Sequence, residues 1–303
     1  MAQISIIIVN WNTRLLLREC LDSVRAYSDG LNCEVIVVDN ASSDGSPEML
    51  DREYPEIRLI QNETNTGFAR ANNQAMQVSE AEYFLLLNSD ARLQPGSISS
   101  LLEAAKCHPG LGIAGARLLN PDGSFQASHT SFPTLWREFL ILSGLGRAFR
   151  GGWYPSHGPE IEKGLQKVEY VEGACLFVRR EAYLQVGGLD EGFFMYAEEV
   201  DWCYRMGLAG WEVWYQPLSV IIHHGSASST GRRTQREGDL YWSRIHYFRK
   251  HYGPTAADRL KILIFWLTAA KGIYYSGVKL LQRGRSGRAV ISVKDLFYKL
   301  RND

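Results

Sequence analysis

Over the first 120 residues, short apolar runs alternate with stretches whose apolar positions recur every three or four residues. The runs at 4–9, 34–38, 57–60 and 83–87 are rich in Ile, Val and Leu, which predicts buried strands. The stretches at 13–27, 46–53, 67–79 and 97–107 carry the helical period. Asp44 and Ser46 are placed to cap the second of these helices, and Pro95-Gly96 turns into the fourth. Strands alternating with helices predict βαβ units with right-handed crossovers, hence an α/β fold with a mainly parallel sheet.

Beyond residue 120 the pattern changes. Residues 120–165 are dense in Gly, Pro and aromatics, which suggests a mobile, partly helical insertion over the sheet edge. Order resumes at 168–178, followed by helical patterns at 179–186 and 198–208 and two short strands at 211–215 and 220–223. After Arg236 the chain reads as helices. Gly110, Gly112 and Gly115 match a GxGxxG spacing, but a helix precedes them and an apolar strand at 112–119 follows. A dinucleotide fingerprint needs the reverse order, so that reading is set aside.

Composition narrows the function class. The 33 basic and 33 acidic residues balance, so no global field draws in nucleic acid. From Lys271 onward, however, eight basic residues face two acidic ones. The five cysteines are widely spaced with no CxxC pair, which reads as thiols in a reducing compartment. The first apolar run lacks a basic flank and reads as a strand, not a signal peptide.

Carboxylates sit where a ligand would be expected. Asp39 and Asp90 follow apolar strands, and Glu198, Glu199 and Asp201 open a helix. Ligands of open α/β sheets bind beyond the carboxyl ends of the strands. Acidic groups there suit a donor-rich ligand or a metal carrying phosphate, which points to a nucleotide. Asp39 also fits an Asx-turn or a helix cap, and Asp201 with Arg205 fits an i,i+4 ion pair.

Eight segments in order resemble the inverting family 2 glycosyltransferases of GT-A fold, most of all their rhamnosyltransferase-like branch. They are IVNWN at 8–12, VDNASSDGS at 38–46, NTGFARANN at 65–73, LNSD at 87–90, EGAC at 172–175, GGLDE at 187–191, YAEEVDWCYR at 196–205 and IHHG at 222–225. The resemblance implies a GT-A catalytic domain over residues 1–235 and a helical extension over 236–303. It implies transfer of a sugar, with L-rhamnose from dTDP-rhamnose leading, from a nucleotide diphosphate donor to a hydroxyl of a glycan or lipid-linked glycan in cell-surface polysaccharide synthesis. Asp39 would contact the nucleobase, with Asn10, Asn65, Gly67 and Arg70 lining the nucleotide pocket. Asn88 and Asp90 stand at the family's DxD position, where Asp90 would hold Mg2+ or Mn2+ on the diphosphate. His223, preferred to its neighbour His224, would add a ligand, since only one of two neighbouring strand residues can face the site. Glu199 matches the catalytic base by register, with Glu198 and Asp201 as alternates. Asp190 and Glu191 would hold the acceptor or order their turn. Trp136, Trp153 and Tyr154 are candidates for stacking on acceptor sugars, or for the core. The competing classes are a sugar nucleotidyltransferase, whose glycine-rich basic loop the N-terminus lacks, and a non-catalytic sugar-nucleotide-binding protein.

The tail suggests location. Residues 260–281 are apolar almost all round, but Lys261, Lys271 and Lys279 interrupt them. A membrane span needs about 20 apolar residues with few charges. The reading is therefore a helix lying on an anionic membrane surface, with Phe265, Trp266, Tyr274 and Tyr275 at headgroup depth. The alternative is packing on the catalytic domain or a homodimer through these helices. A cytoplasmic protein at the inner face of the membrane is expected.

Overall fold

The computed structural model describes residues 2–28, 30–225 and 233–281, with the side chains of 233–237 and 274–281 left aside. In chain order its elements are β1 (Ile4–Asn10), α1 (Arg14–Tyr27), β2 (Cys33–Asp39), α2 (Ser46–Glu53), β3 (Arg58–Gln61), α3 (Phe68–Val78), β4 (Tyr83–Asn88), β5 (Ala91–Leu93), α4 (Ser97–Cys107) and β6 (Leu111–Leu119). There follow β7 (His129–Thr130), α5 (Leu135–Ser143), α6 (Leu145–Arg150), β8 (Gln166–Lys167), β9 (Tyr170–Val171), β10 (Cys175–Arg179), α7 (Arg180–Val186), α8 (Glu198–Leu208), β11 (Glu212–His223), α9 (Arg233–Tyr252) and α10 (Pro254–Leu281).

The main sheet runs β3-β2-β1-β4-β10-β6-β11-β5, with β8 also on β11. Its first four strands are parallel, as the βαβ pattern predicts. β10 enters antiparallel between β4 and β6, so the far half is mixed. Side-chain alternation splits the core in two. Ile4, Ile6 and Ile8 face α1, α2 and α4, while Ile7, Ile36 and Val38 face α3, α7 and α8.

One expectation about strands needs correction, and one strand was not foreseen. The strands expected at 211–215 and 220–223 are one element, β11, whose register on β6 shifts between Gln216 and Val220. Pro217 lies in that shift, where its missing N–H costs no ladder bond. The three-residue β5 carries no readable period, yet it pairs antiparallel with the end of β11, His223 opposite Ala91.

The glycines of the GxGxxG match have a packing role. A Cβ on Gly115 would lie 2.4 Å from the Cβ of Val171, and one on Gly112 would lie 2.8 Å from that of Trp211. Gly115→Ala is therefore expected to cost about 1–3 kcal/mol by overpacking. Thermal unfolding would record this as a clear drop in Tm, and an unchanged Tm would mean β9 gives way freely.

Two compact units emerge. One holds Met1–Phe132, Pro155–Phe194 and Glu198–Ser228; the other holds Pro133–Tyr154, Met195–Ala197 and Ser229–Asp303. Within the second, α10 packs along α9 and α5. Arg244 donates to the buried carboxylate of Glu138 at 2.7 Å. Among the described residues no helix is long and apolar enough to cross a membrane. The five cysteines are free thiols; Cys20, Cys175 and Cys203 are buried. Trp136 and Trp153 are exposed, so neither belongs to the core.

Candidate active site

Register brings the first group together. Asn10 lies opposite Asp39 across β1–β2, and Val9 lies opposite Asn88 across β1–β4, so three candidate residues share the carboxyl edge. Asn10 Nδ2 donates to Asp39 Oδ2 at 2.7 Å and to Ser42 Oγ at 3.0 Å. Asp39, 1 % exposed, takes a second bond from the Ser42 N–H at 2.8 Å. The turn reading of Asp39 is thus present, and each oxygen keeps a further lone pair. The Thr13 hydroxyl donates to Asn10 Oδ1, so at the 2.8 Å Thr13–Ser89 contact Ser89 is the donor. Asn12 and Ala41 both take positive φ, of 54° and 60°, in the loops flanking this edge. Such outliers cluster at ligand sites because the surrounding bonds hold them there. Asp44 accepts from the N–H groups of Arg14 and Ser46, serving the starts of α1 and α2 together.

The loop entering α3 is held by amides. Asn65 Oδ1 accepts the Gly67 N–H at 3.0 Å. Gly67 has φ 85°, and a Cβ there would lie 2.6 Å from the Phe194 carbonyl oxygen. That oxygen accepts the Phe68 N–H, which ties the α3 start to the segment before α8. Asn73 extends the tie, bonding both the N–H and the carbonyl of Leu189 as well as Glu191. Arg70 completes it through a 2.8 Å ion pair with Glu191. Asp190 accepts the Gly192 N–H at 2.8 Å within the turn. Both acidic residues of this loop are therefore engaged in ordering it.

Asp90 and His223 meet at 3.2 Å, brought together by the β5–β11 pairing. His224 points elsewhere, with Nε2 3.9 Å from Glu19. Gln126 sets the His223 ring. Its Nε2 donates to Asn120 Oδ1 and to the His223 carbonyl, leaving Oε1 to accept from His223 Nδ1 at 2.6 Å. In the neutral imidazole the Nε2 lone pair then faces the Asp90 carboxylate, and Asn88 Nδ2 stands 3.2 Å from it. Among the described residues no group of three or more His, Cys, Asp or Glu gathers to hold a metal ion. A carboxylate and an oriented imidazole nevertheless form a fitting donor pair for a cation whose other ligands are phosphate and water.

The acidic helix start is the third group. Tyr196 and Ala197 hold φ of 75° and 66° just before α8, and Glu198 and Glu199 are its first two residues. Glu198 is buried, and among the described residues its Oε2 has no hydrogen-bond partner. Burial, then the charge of Glu199, pushes its pKa well above the carboxylate range. Glu199 is half-buried beside Gly173, where a Cβ would stand 3.6 Å from its side chain. Burial raises its pKa to about 7, against hydrogen bonds from its own and the Val200 N–H. Asp201 is fully buried and paired with Arg205 at 2.8 Å, the i,i+4 geometry foreseen from spacing. Arg205 also donates to the carbonyls of Val186 and Gly188, so this pair braces the GGLDE loop.

Asn73 and Gln126 are the residues that sequence reasoning passed over. Asn73 lies inside a motif and could have been singled out as the amide on the inner face of α3. Gln126 sits 97 residues from His223 in a loop with no period, so nothing local marks it.

The model of the family "Glycosyl transferase family 2" matches residues 5–187. The chain is 37% identical over 211 residues to the N-acetylglucosaminyl-diphospho-decaprenol L-rhamnosyltransferase of Mycobacterium tuberculosis, covering 65% of this chain and 68% of that one. It is 28% identical over 207 residues to the low-salt glycan biosynthesis hexosyltransferase Agl10 of Haloferax volcanii, covering 67% and 61%. The fold is similar to that of the mannosyltransferase PcManGT from Pyrobaculum calidifontis, solved with GDP-Man and Mn2+. That similarity has a TM-score of 0.58 at 16% identity and covers 99% of this chain and 80% of that one.

Proposed function

The chain belongs to glycosyl transferase family 2, and on that premise we propose an inverting, metal-dependent hexosyltransferase that moves L-rhamnose from dTDP-rhamnose to a hydroxyl of a lipid-linked glycan in cell-surface polysaccharide synthesis. The relative named as an L-rhamnosyltransferase on a diphospho-decaprenol acceptor supports that choice of donor and acceptor. The observation that carries the reading is Glu199, a half-buried carboxyl with a pKa of about 7 at the start of α8. A base works best with a pKa near the operating pH, because it is then both deprotonated and basic.

In the reaction the acceptor oxygen attacks the anomeric carbon as the bond from that carbon to the diphosphate breaks. The bonding pair leaves with the phosphate oxygen, and the hydroxyl proton passes to Glu199. One displacement inverts the centre. Glu198, held neutral by burial and by its neighbour, keeps a second negative charge away from the base. Asp39 and Asn10 recognise the nucleobase, Asn65 and Gly67 shape the wall beside it, and Arg70 and Glu191 hold that wall closed. Asp90 and His223, the latter oriented by Gln126, would hold Mg2+ or Mn2+. A bound cation would neutralise the charge that develops on the leaving diphosphate. The catalytic domain in this reading is residues 1–235 with 236–303 as its helical extension. A lipid-linked acceptor brings such an enzyme to the inner face of the cell membrane as a peripheral protein.

The test is transfer from dTDP-rhamnose to a short-chain diphosphate-lipid-linked N-acetylglucosamine, followed across pH. Only the deprotonated Glu199 accepts a proton, so kcat/KM should climb as pH rises to about 7 and level off above it. No product with this donor, and product with UDP or GDP sugars instead, would remove rhamnose from the proposal. A rate already flat from pH 5 upward would remove the base.

A further inference from the structure

We infer that the helical unit is a docking surface for anionic lipid, entered through α6 and the outward stripe of α10. This deepens the peripheral-membrane reading above and rests on it for its purpose. The balanced charge of the chain conceals a segregation. Among the described residues the helical unit carries 12 basic and 4 acidic residues, and the remainder carries 14 basic and 26 acidic. One unit is strongly cationic and the other strongly anionic. Only the first would be drawn to an anionic surface.

The same unit exposes several large apolar side chains. On α10, Ala257, Leu260, Ile264 and Thr268 form the buried face, and the helix packs on α5 and α9. The opposite face shows Ile262, Trp266 and Ile273 at 58%, 66% and 75% exposure. Their spacing of four and seven residues aligns them in one stripe. Phe149 on α6 and Trp153 just after it are 74% and 54% exposed. Arg147 and Arg150 flank Phe149, and Arg259 and Lys271 flank the α10 stripe, all exposed.

Aromatic and aliphatic groups set among cations are the arrangement of an interfacial element, in which the rings enter the headgroup region and the cations remain at phosphate level. A second copy meeting this face through the same helices is a poorer occupant, since it would bring two cationic faces together. α10 is thus both packed and lipid-facing, on opposite sides.

The experiment is sedimentation of the full-length protein with vesicles of phosphatidylcholine alone or with 30% phosphatidylglycerol, at low and at about 0.5 M salt. The protein should pellet with the anionic vesicles at low salt, stay in solution with pure phosphatidylcholine, and be released by salt. The double variant Phe149→Ser/Trp266→Ser should partition about tenfold less, with unchanged circular dichroism and unchanged transfer to a soluble short-chain acceptor. Wild-type protein that remains in the supernatant with anionic vesicles overturns the inference. So does a double variant that pellets like wild type, or one that instead converts a dimer to a monomer in sedimentation velocity. Vesicle binding without any transfer activity would leave this surface standing and sink the proposed reaction, so the two failures are distinguishable.

Discussion

Glu199→Gln should lower turnover by about 10²–10⁴-fold while leaving donor affinity nearly unchanged. Glutamine has the same size and keeps the position on α8, but it cannot take the acceptor proton. In the proposed reaction donor binding falls to Asn10 and Asp39, at the ends of β1 and β2, and to Asp90, in the turn between β4 and β5, all apart from α8. The folded protein should not suffer either. Burial raises the pKa of Glu199, so its charged form is the one the site disfavours, and a neutral amide removes that penalty. The pH dependence of whatever activity remains should lose its rise toward pH 7. Turnover by single-time-point product assay, donor affinity by calorimetry and Tm by differential scanning together check the assignment. Near-normal turnover would transfer the role to Glu198, because Asp201 is occupied by Arg205.

Chelation and Asp90→Ala should each lower activity by at least about 10²-fold, and should do so through the same defect, loss of metal-dependent donor binding. Asp90→Asn preserves the shape of the side chain and should behave alike, which separates lost charge from lost packing. Gln126→Leu carries the sharper signature. The residue cannot reach a cation through its carbonyl while that oxygen holds His223 Nδ1. Its loss should raise the Mg2+ or Mn2+ concentration needed for half-maximal activity by about 10–100-fold, with little change at saturating metal. Full wild-type activity after exhaustive EDTA treatment would end the metal assignment. Phosphate neutralisation would then fall to Arg232, Arg233 or Arg236, whose side chains lie outside the described residues.

Much of the site was visible in the chain because its parts sit at ends of elements. Asp39, Asp90 and Glu199 could each be found by asking where an apolar run stops or a helix starts. Partnership was not visible. Arg70 reads as a nucleotide-pocket cation in its motif, and the fold pairs it with Glu191. Asp201 and Arg205 could be paired from spacing, since four residues on a helix bring side chains together. No local rule brings Gln126 to His223.

The sequence by itself determined the α/β class, the positions of the first four strands and helices, and the short list of candidate carboxylates. Each of those depends on periodicity or on a residue's place at a turn, which a window of about ten residues contains. The tertiary structure decided which of two histidines faces Asp90, that β11 runs unbroken through Pro217, and that α10 buries one face and exposes the other. These depend on register between strands and on packing between helices far apart in the chain. Pairing β5 with β11 one residue differently would turn His223 away and bring His224 in, because adjacent strand residues point to opposite faces.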